Sequence, residues 1–109
     1  MQNKSSAENM IHTIDEYKII ENKEVVGEIA LLQYSNQKLP NIEYKVKPEH
    51  QNKGIMKKHL PIYLDRIKGI GNILAVIMDD NLISAKLLLA NNFKELGKIN
   101  NKKIFIYGI

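Results

Sequence analysis

The segment best placed to do chemistry is Gln51-Asn52-Lys53-Gly54-Ile55-Met56, a short polar stretch between two contrasting hydrophobic patterns. Before it, Ile42, Tyr44 and Val46 alternate with Glu43, Lys45 and Lys47, the two-residue period of a half-buried strand. Pro48 ends that ladder because it has no N–H to donate. After Gly54 the period lengthens, and Met56, Leu60, Tyr63, Leu64 and Ile67 fall on one stripe of an amphipathic helix. The first turn of a helix leaves backbone N–H groups unpaired at the positive end of its dipole. A diphosphate placed there collects several N–H bonds at once. Gly54 lets the backbone approach the phosphate oxygens, and Lys53, Lys57 and Lys58 add positive charge at the same end. Taken alone, a glycine and a few lysines before a helix are more often an ordinary loop. The segment is not a P-loop, because no Gly-Lys-Ser/Thr follows, and it lacks the spaced glycines of a dinucleotide fingerprint.

The elements that must position this loop follow from the same periods. Residues 1–11 read as a flexible polar tail, and a short strand is expected from Glu16 to Ile20. Val25 to Tyr34 is apolar on both alternating faces, with Val25, Ile29 and Leu31 on one and Val26, Ala30 and Leu32 on the other. Such a strand is expected to be covered on both sides, with Glu28 the one interruption. Pro61 sits inside the helical stripe and predicts a kink, and Gly69-Ile70-Gly71 closes that helix. Ile73 to Met78 is a continuous apolar run, expected as a buried strand. Asn81 is a good N-cap for a helix from Leu82 to Asn91, and Asn91-Asn92 supplies a left-handed C-cap. Phe93 to Ile99 and Lys102 to Ile109 then form a hairpin about Asn100-Asn101. The order ββ-β-α-β-α-ββ defines a single mixed α/β domain over residues 12–109.

Composition narrows the chemistry further. The chain has 109 residues, enough for one domain, and 44% are apolar. Cysteine is absent, which excludes disulfides, thiolate metal sites and a cysteine nucleophile. The three histidines, His12, His50 and His59, are scattered without acidic partners at ligand spacing, so surface positions and no metal are expected. The first residues lack the apolar core of a signal peptide, and no apolar run is long enough to cross a bilayer, so a cytoplasmic protein without a membrane partner is expected. The formal charge of +4 favours anionic partners in general. Nucleic acid is not expected among them, because the lysines are dispersed and no aromatic platform interleaves with them.

Val46, Pro48-Glu49 and then Gln51-Asn52-Lys53-Gly54-Ile55 resemble the acetyl-CoA motif of the GNAT superfamily of acetyltransferases, whose core is Gln/Arg-x-x-Gly-x-Gly/Ala. A second segment agrees in order and distance: the strand Ile73–Met78, then Asn81, Ser84, Leu87 and Asn92-Phe93, followed by Gly97. It is similar to the family's Asn-x-x-Ser helix ending in Gly-Phe. Together the two segments cover roughly residues 24–109. Met56 stands where Gly or Ala is usual, Asn92 replaces Gly, and Leu88 takes the place of a tyrosine that protonates the departing thiolate. The N-terminal part is too short for the family's first two helices.

The resemblance implies a mostly antiparallel central sheet with helices on both faces, ending in the hairpin. It implies acetyl-CoA as acyl donor, its pyrophosphate bound by the amides of Asn52, Lys53, Gly54, Ile55 and Met56, with Gln51 shaping the loop. The strand edge at Val46 and Lys47 would pair with the pantetheine arm, a strand amide there would polarise the thioester carbonyl, and Asn81 would reach the arm from the other side. Glu43 and Glu28 are the candidate bases, on strands expected to border the acceptor side. Tyr44 and Tyr107 read as core, and Ser84 as helix packing or capping. The expected activity is transfer of an acetyl group to a primary amine of a small molecule or peptide. The alternative is an acyl-CoA-binding or sensor module without turnover. A short N-terminal region leaves apolar surface uncovered, so a homodimer that buries it is expected.

Overall fold

The computed structural model describes residues 10–108. They form strands β1 (Ile11–Glu21), β2 (Glu24–Tyr34), β3 (Asn41–Val46), β4 (Ile73–Met78), β5 (Lys94–Ile99) and β6 (Lys102–Tyr107). Helix α1 (Ile55–Arg66) lies between β3 and β4, and helix α2 (Leu82–Ala90) between β4 and β5. The strands make one mixed sheet in the order β1-β2-β3-β4-β6-β5, antiparallel throughout except between β3 and β4. The expected order of elements is therefore found, with one added 3-10 turn at Pro48–His50. No helix among the described residues is long and apolar enough to cross a membrane.

Two strands depart from their periodicity, each at a bulge. Strand β1 begins at Ile11, not Glu16, so the expected tail ends at least one residue sooner; residues 1–9 lie outside the described part. Its first half hides from pattern reading because the register shifts between Thr13 and Asp15, which breaks the alternation. In β2 the register jumps from Gly27 opposite Ile19 to Val25 opposite Ile20. The extra residue, Val26, is 1% exposed, while Val25 turns outward at 38%. Val25 thus leaves the face of Ile29 and Leu31 on which its position had placed it.

Helices on both faces of the sheet were expected; both helices pack on one. Tyr17, Ile29 and Tyr44 are cross-strand partners and share a face. Tyr17 Oη meets His59 of α1 at 3.2 Å, and Tyr44 Oη meets Ser84 of α2 at 2.9 Å. The topology requires this arrangement. Each crossover, β3-α1-β4 and β4-α2-β5, joins parallel strands and steps the same way across the sheet, so right-handedness puts both helices on the same side. The core lies under them, where Ile29, Leu31, Ile73 and Phe105 meet Leu60, Tyr63 and Leu88. Among the described residues no helix covers the other face. On β4 that leaves Val76 and Met78 at 40% and 48% exposed, so the apolar run Ile73–Met78 is a strand buried on one side only. The whole expected stripe is buried, with Ile67 at the C-cap of α1 and the rest on the helix, which runs through Pro61 as one element. His59, expected at the surface, sits on the buried side of α1 against Tyr17.

A polar tie fastens β1 to α1. Tyr63 Oη donates to Asp15 Oδ2 at 3.0 Å, and Arg66 donates to the same carboxylate through Nε and Nη2 at 3.2 and 3.1 Å. The Arg66 bond is the main cause that holds the Asp15 carboxyl below its ordinary value of 3.8. A depressed carboxylate stabilises the fold above its unfolded pKa and stops doing so as pH falls through its folded pKa. Asp15→Ala orphans the fully buried Tyr63 hydroxyl, at an expected cost of about 1–3 kcal/mol near neutral pH. Urea unfolding at neutral pH and in acid checks this: the gap between the two proteins narrows once Asp15 is protonated in the parent.

Candidate functional site

The site begins where two strands part. β3 and β4 are parallel neighbours, yet they pair only at Asn41 and Leu74, where the Leu74 N–H reaches the Pro40 carbonyl at 2.9 Å. Beyond that point the sheet opens between them. On the far side of β3, the Lys47 N–H donates to the Val26 carbonyl at 2.9 Å. Main-chain groups alternate along a strand, so the amides of Tyr44 and Val46 face the opening and that of Lys47 does not. The Val46 backbone therefore faces the opening, while the Lys47 N–H is engaged by β2. A shallow cavity of about 390 Å³ lies beside this strand end, with Lys18, Glu28, Lys45, Val46, Lys47 and Pro48 among its walls.

The loop that follows is tied to the same strand end. Gln51 Nε2 donates to the Val46 carbonyl at 3.0 Å, which ties the loop to β3. Asn52 and Gly54 both adopt left-handed backbone, with φ of 65° and 74°. Gly54 is the N-cap of α1, and no side chain caps that end. The first helical hydrogen bond runs from the Lys58 N–H to the Gly54 carbonyl at 3.1 Å. The amides of Ile55, Met56 and Lys57 are therefore left without an acceptor among the described residues. The Ile55 and Met56 side chains are buried in the core, so these residues offer the site only their backbone. A Cβ built on Gly54 meets nothing within 4 Å, so the space beside that residue is open. Lys53 and Lys57 are exposed and form no ion pair among the described residues, whereas Lys58 Nζ lies 3.9 Å from Glu21. The residues from Gln51 to Met56 thus fit a diphosphate through uncapped amides, room and positive charge.

The two candidate bases differ in their surroundings. Glu43 is exposed on the face of β3 away from the helices and accepts the Tyr34 hydroxyl at 2.5 Å. That bond is the main cause that pushes the Tyr34 phenol up to about 12, so Tyr34 remains a neutral donor that holds the carboxylate. Glu28 lies on the same face and is bound by Lys18 at 2.6 Å, with Lys45 at 3.7 Å. The Lys18 bond lowers the Glu28 pKa, and a carboxylate stabilised in its charged form is a poor proton acceptor. Glu28 therefore reads as an ion-pair partner, contrary to the role expected for it.

Across the sheet, Asn81 Oδ1 accepts the Ser84 N–H at 3.1 Å as the N-cap of α2, which leaves its amide nitrogen for other partners. Ser84 and Leu88 are both buried on that helix, Leu88 completely. Tyr44 is half-buried and its hydroxyl meets Ser84 Oγ. Sequence reading missed this contact and the Tyr34–Glu43 bond, because both depend on strand register and helix placement. It also missed that Glu24, Glu49 and His50 gather beside the loop with ligand atoms within 4.8 Å of one another. His50 Nε2 pairs there with Glu24 at 3.3 Å.

Neither a protein-family model nor a curated protein matches the chain. Solved structures do match it in fold. A protein of Bordetella pertussis assigned to the GNAT acetyltransferase family superposes with a TM-score of 0.75 at 17% identity, over 85% of this chain and 64% of its own. The protein yncA of Salmonella typhimurium, assigned as an acetyltransferase and solved with its cofactor acetyl-CoA, gives 0.69 at 21% identity, over 82% and 61%. Ribosomal-protein-S5-alanine acetyltransferase from Vibrio fischeri gives 0.65 at 20% identity, over 78% and 55%. The chain thus spans between 55% and 64% of the length of these three structures.

Proposed function

With the GNAT acetyltransferase fold as premise, we propose that this chain binds acetyl-CoA and transfers its acetyl group to a primary amine of a small molecule or peptide. One observation carries the reading: the uncapped amides that open α1 stand beside the parted strands β3 and β4. Bound acetyl-CoA supplies an activated acyl group on a good leaving group. The chain's own part is to hold the diphosphate at Gly54 to Lys57 and to offer the Tyr44 or Val46 amide to the thioester oxygen as that oxygen gains charge. Glu43, fixed by Tyr34 and open to solvent, takes the proton from the incoming amine, directly or through a water. The acceptor approaches over the face of the sheet where Glu43 stands and no helix of the described residues intervenes.

Calorimetric titration with acetyl-CoA and then CoA tests the shared premise, and an amine panel scored by CoA release tests turnover. Saturable binding of both, with CoA release for some amine, is the expected result. Glu43→Gln should retain binding and lose about a hundredfold or more in turnover. Binding with no release across a broad panel would favour the sensor module instead. Absence of binding would overturn both.

A further inference from the structure

We propose that Glu24, Glu49 and His50 bind a divalent transition-metal cation such as Zn2+, which clamps the β1–β2 turn to the 3-10 turn leading into Gln51. The inference stands apart from the acyl-transfer reading. Each of the three side chains offers one ligand atom, and these atoms lie within 4.8 Å of one another. Two ligands on a tetrahedral Zn2+, each about 2.1 Å from the ion, stand about 3.4 Å apart. His50 Nε2 and Glu24 Oε2 already hold that spacing, at 3.3 Å. Closing the third ligand on an ion takes about an ångström of movement in an exposed glutamate, and a fourth position stays open to water.

The backbone beneath the three residues is fixed before any ion arrives. Glu24 opens β2 directly after Asn22 and Lys23, which turn the chain with left-handed φ of 52° and 65°. The Lys47 N–H donates to the Val26 carbonyl at 2.9 Å, and the His50 N–H to the Lys47 carbonyl at 2.8 Å. Those two bonds hold the 3-10 turn against the start of β2. The His50 side chain is only 20% exposed, while both glutamates are open to solvent and give an ion its way in. Neither glutamate has a lysine or arginine within ion-pair distance among the described residues, although the chain carries a formal charge of +4. Two neighbouring carboxylates without a cation repel each other, and a dication reverses that repulsion. The imidazole decides which dication. Carboxylates alone suit Mg2+ and Ca2+, whereas an imidazole nitrogen selects Zn2+ and its neighbours in the first transition row.

The test is calorimetric titration of the untagged full chain with Zn2+, with the visible absorption of added Co2+ as a second reading. One equivalent of Zn2+ should bind, and Co2+ should develop the absorption of a nitrogen-ligated ion. Ca2+ should bind at least about tenfold more weakly. Zn2+ at about a hundredfold over its Kd should raise the melting temperature by about 5 °C or more. Glu49→Gln should weaken Zn2+ binding about tenfold or more. Glu49 has no ion-pair partner among the described residues, so its melting temperature in EDTA should stay within about 1 °C of the parent. His50→Ala should weaken binding at least as much and abolish the Co2+ absorption, and Glu49→Gln carries the test if His50→Ala does not fold. No saturable Zn2+ binding by the parent, equal affinity for Ca2+, or undiminished binding in the variants overturns the site. Acetyl-CoA titration of the metal-free protein reads the acyl-transfer reading separately, so the two fail independently.

Discussion

Gly54→Asp lowers acetyl-CoA affinity by about a hundredfold or more, while the melting temperature shifts by only a few degrees. The two effects separate because Gly54 has different roles in the fold and in the site. A side chain there meets no atom within 4 Å, so no clash opposes the substitution. Its φ of 74° is left-handed, a conformation that Asp tolerates better than most residues. A negative charge at the start of α1 also favours the helix dipole. The same charge sits where the diphosphate must lie and competes for the amides of Ile55, Met56 and Lys57. Each charge-assisted hydrogen bond is worth about 1.5–3 kcal/mol, so losing one or two accounts for the expected fall. Calorimetry and a thermal melt on one preparation check both halves. Undiminished binding would show that the diphosphate does not rest on this helix end.

Much of this loop was legible because its signals are local. Gly54 and the change of period at Met56 mark the helix start, and every residue of the stripe Met56, Leu60, Tyr63, Leu64 and Ile67 is buried. Asn81 caps α2 as its type and position indicated, and Asn92 takes the left-handed φ of 69° assigned to the Asn pair. What stayed hidden depends on how elements meet. No period in Ile73–Met78 reveals that both helices pack on one side of the strand, because that follows from the direction of two crossovers. The bulges after Thr13 and at Val26 move Ile11–Thr13 and Val25 off their apparent phase, and only the second has a glycine, Gly27, beside it. The partnerships of Glu28 with Lys18 and of Tyr44 with Ser84 join residues 10 and 40 positions apart. Side-chain chemistry alone left Glu28 and Glu43 equivalent as bases, and register separates them.

Gly27 is a second glycine on which the site depends, for a steric reason that its sequence does not display. It lies in β2 opposite Val46, and a Cβ there would stand 2.6 Å from the Lys45 carbonyl oxygen and 3.3 Å from Val46 Cα. Both contacts are main chain, so no rotamer change relieves them and β3 itself must move. Gly27→Ala is therefore expected to cost about 1–3 kcal/mol, the range for overpacking a tight interior. The displacement falls on the stretch whose Tyr44 and Val46 amides border the opening and whose Val46 carbonyl anchors Gln51. Acetyl-CoA affinity should fall about tenfold or more in the fraction that remains folded. Gly97→Ala provides the control, because a Cβ at that strand position meets nothing, and it should change stability by less than about 0.5 kcal/mol. Urea unfolding of both variants, followed by titration with acetyl-CoA, measures the contrast. If Gly27→Ala unfolds and binds like Gly97→Ala, β3 is not wedged against β2, and the fixed strand edge required for acyl transfer is absent.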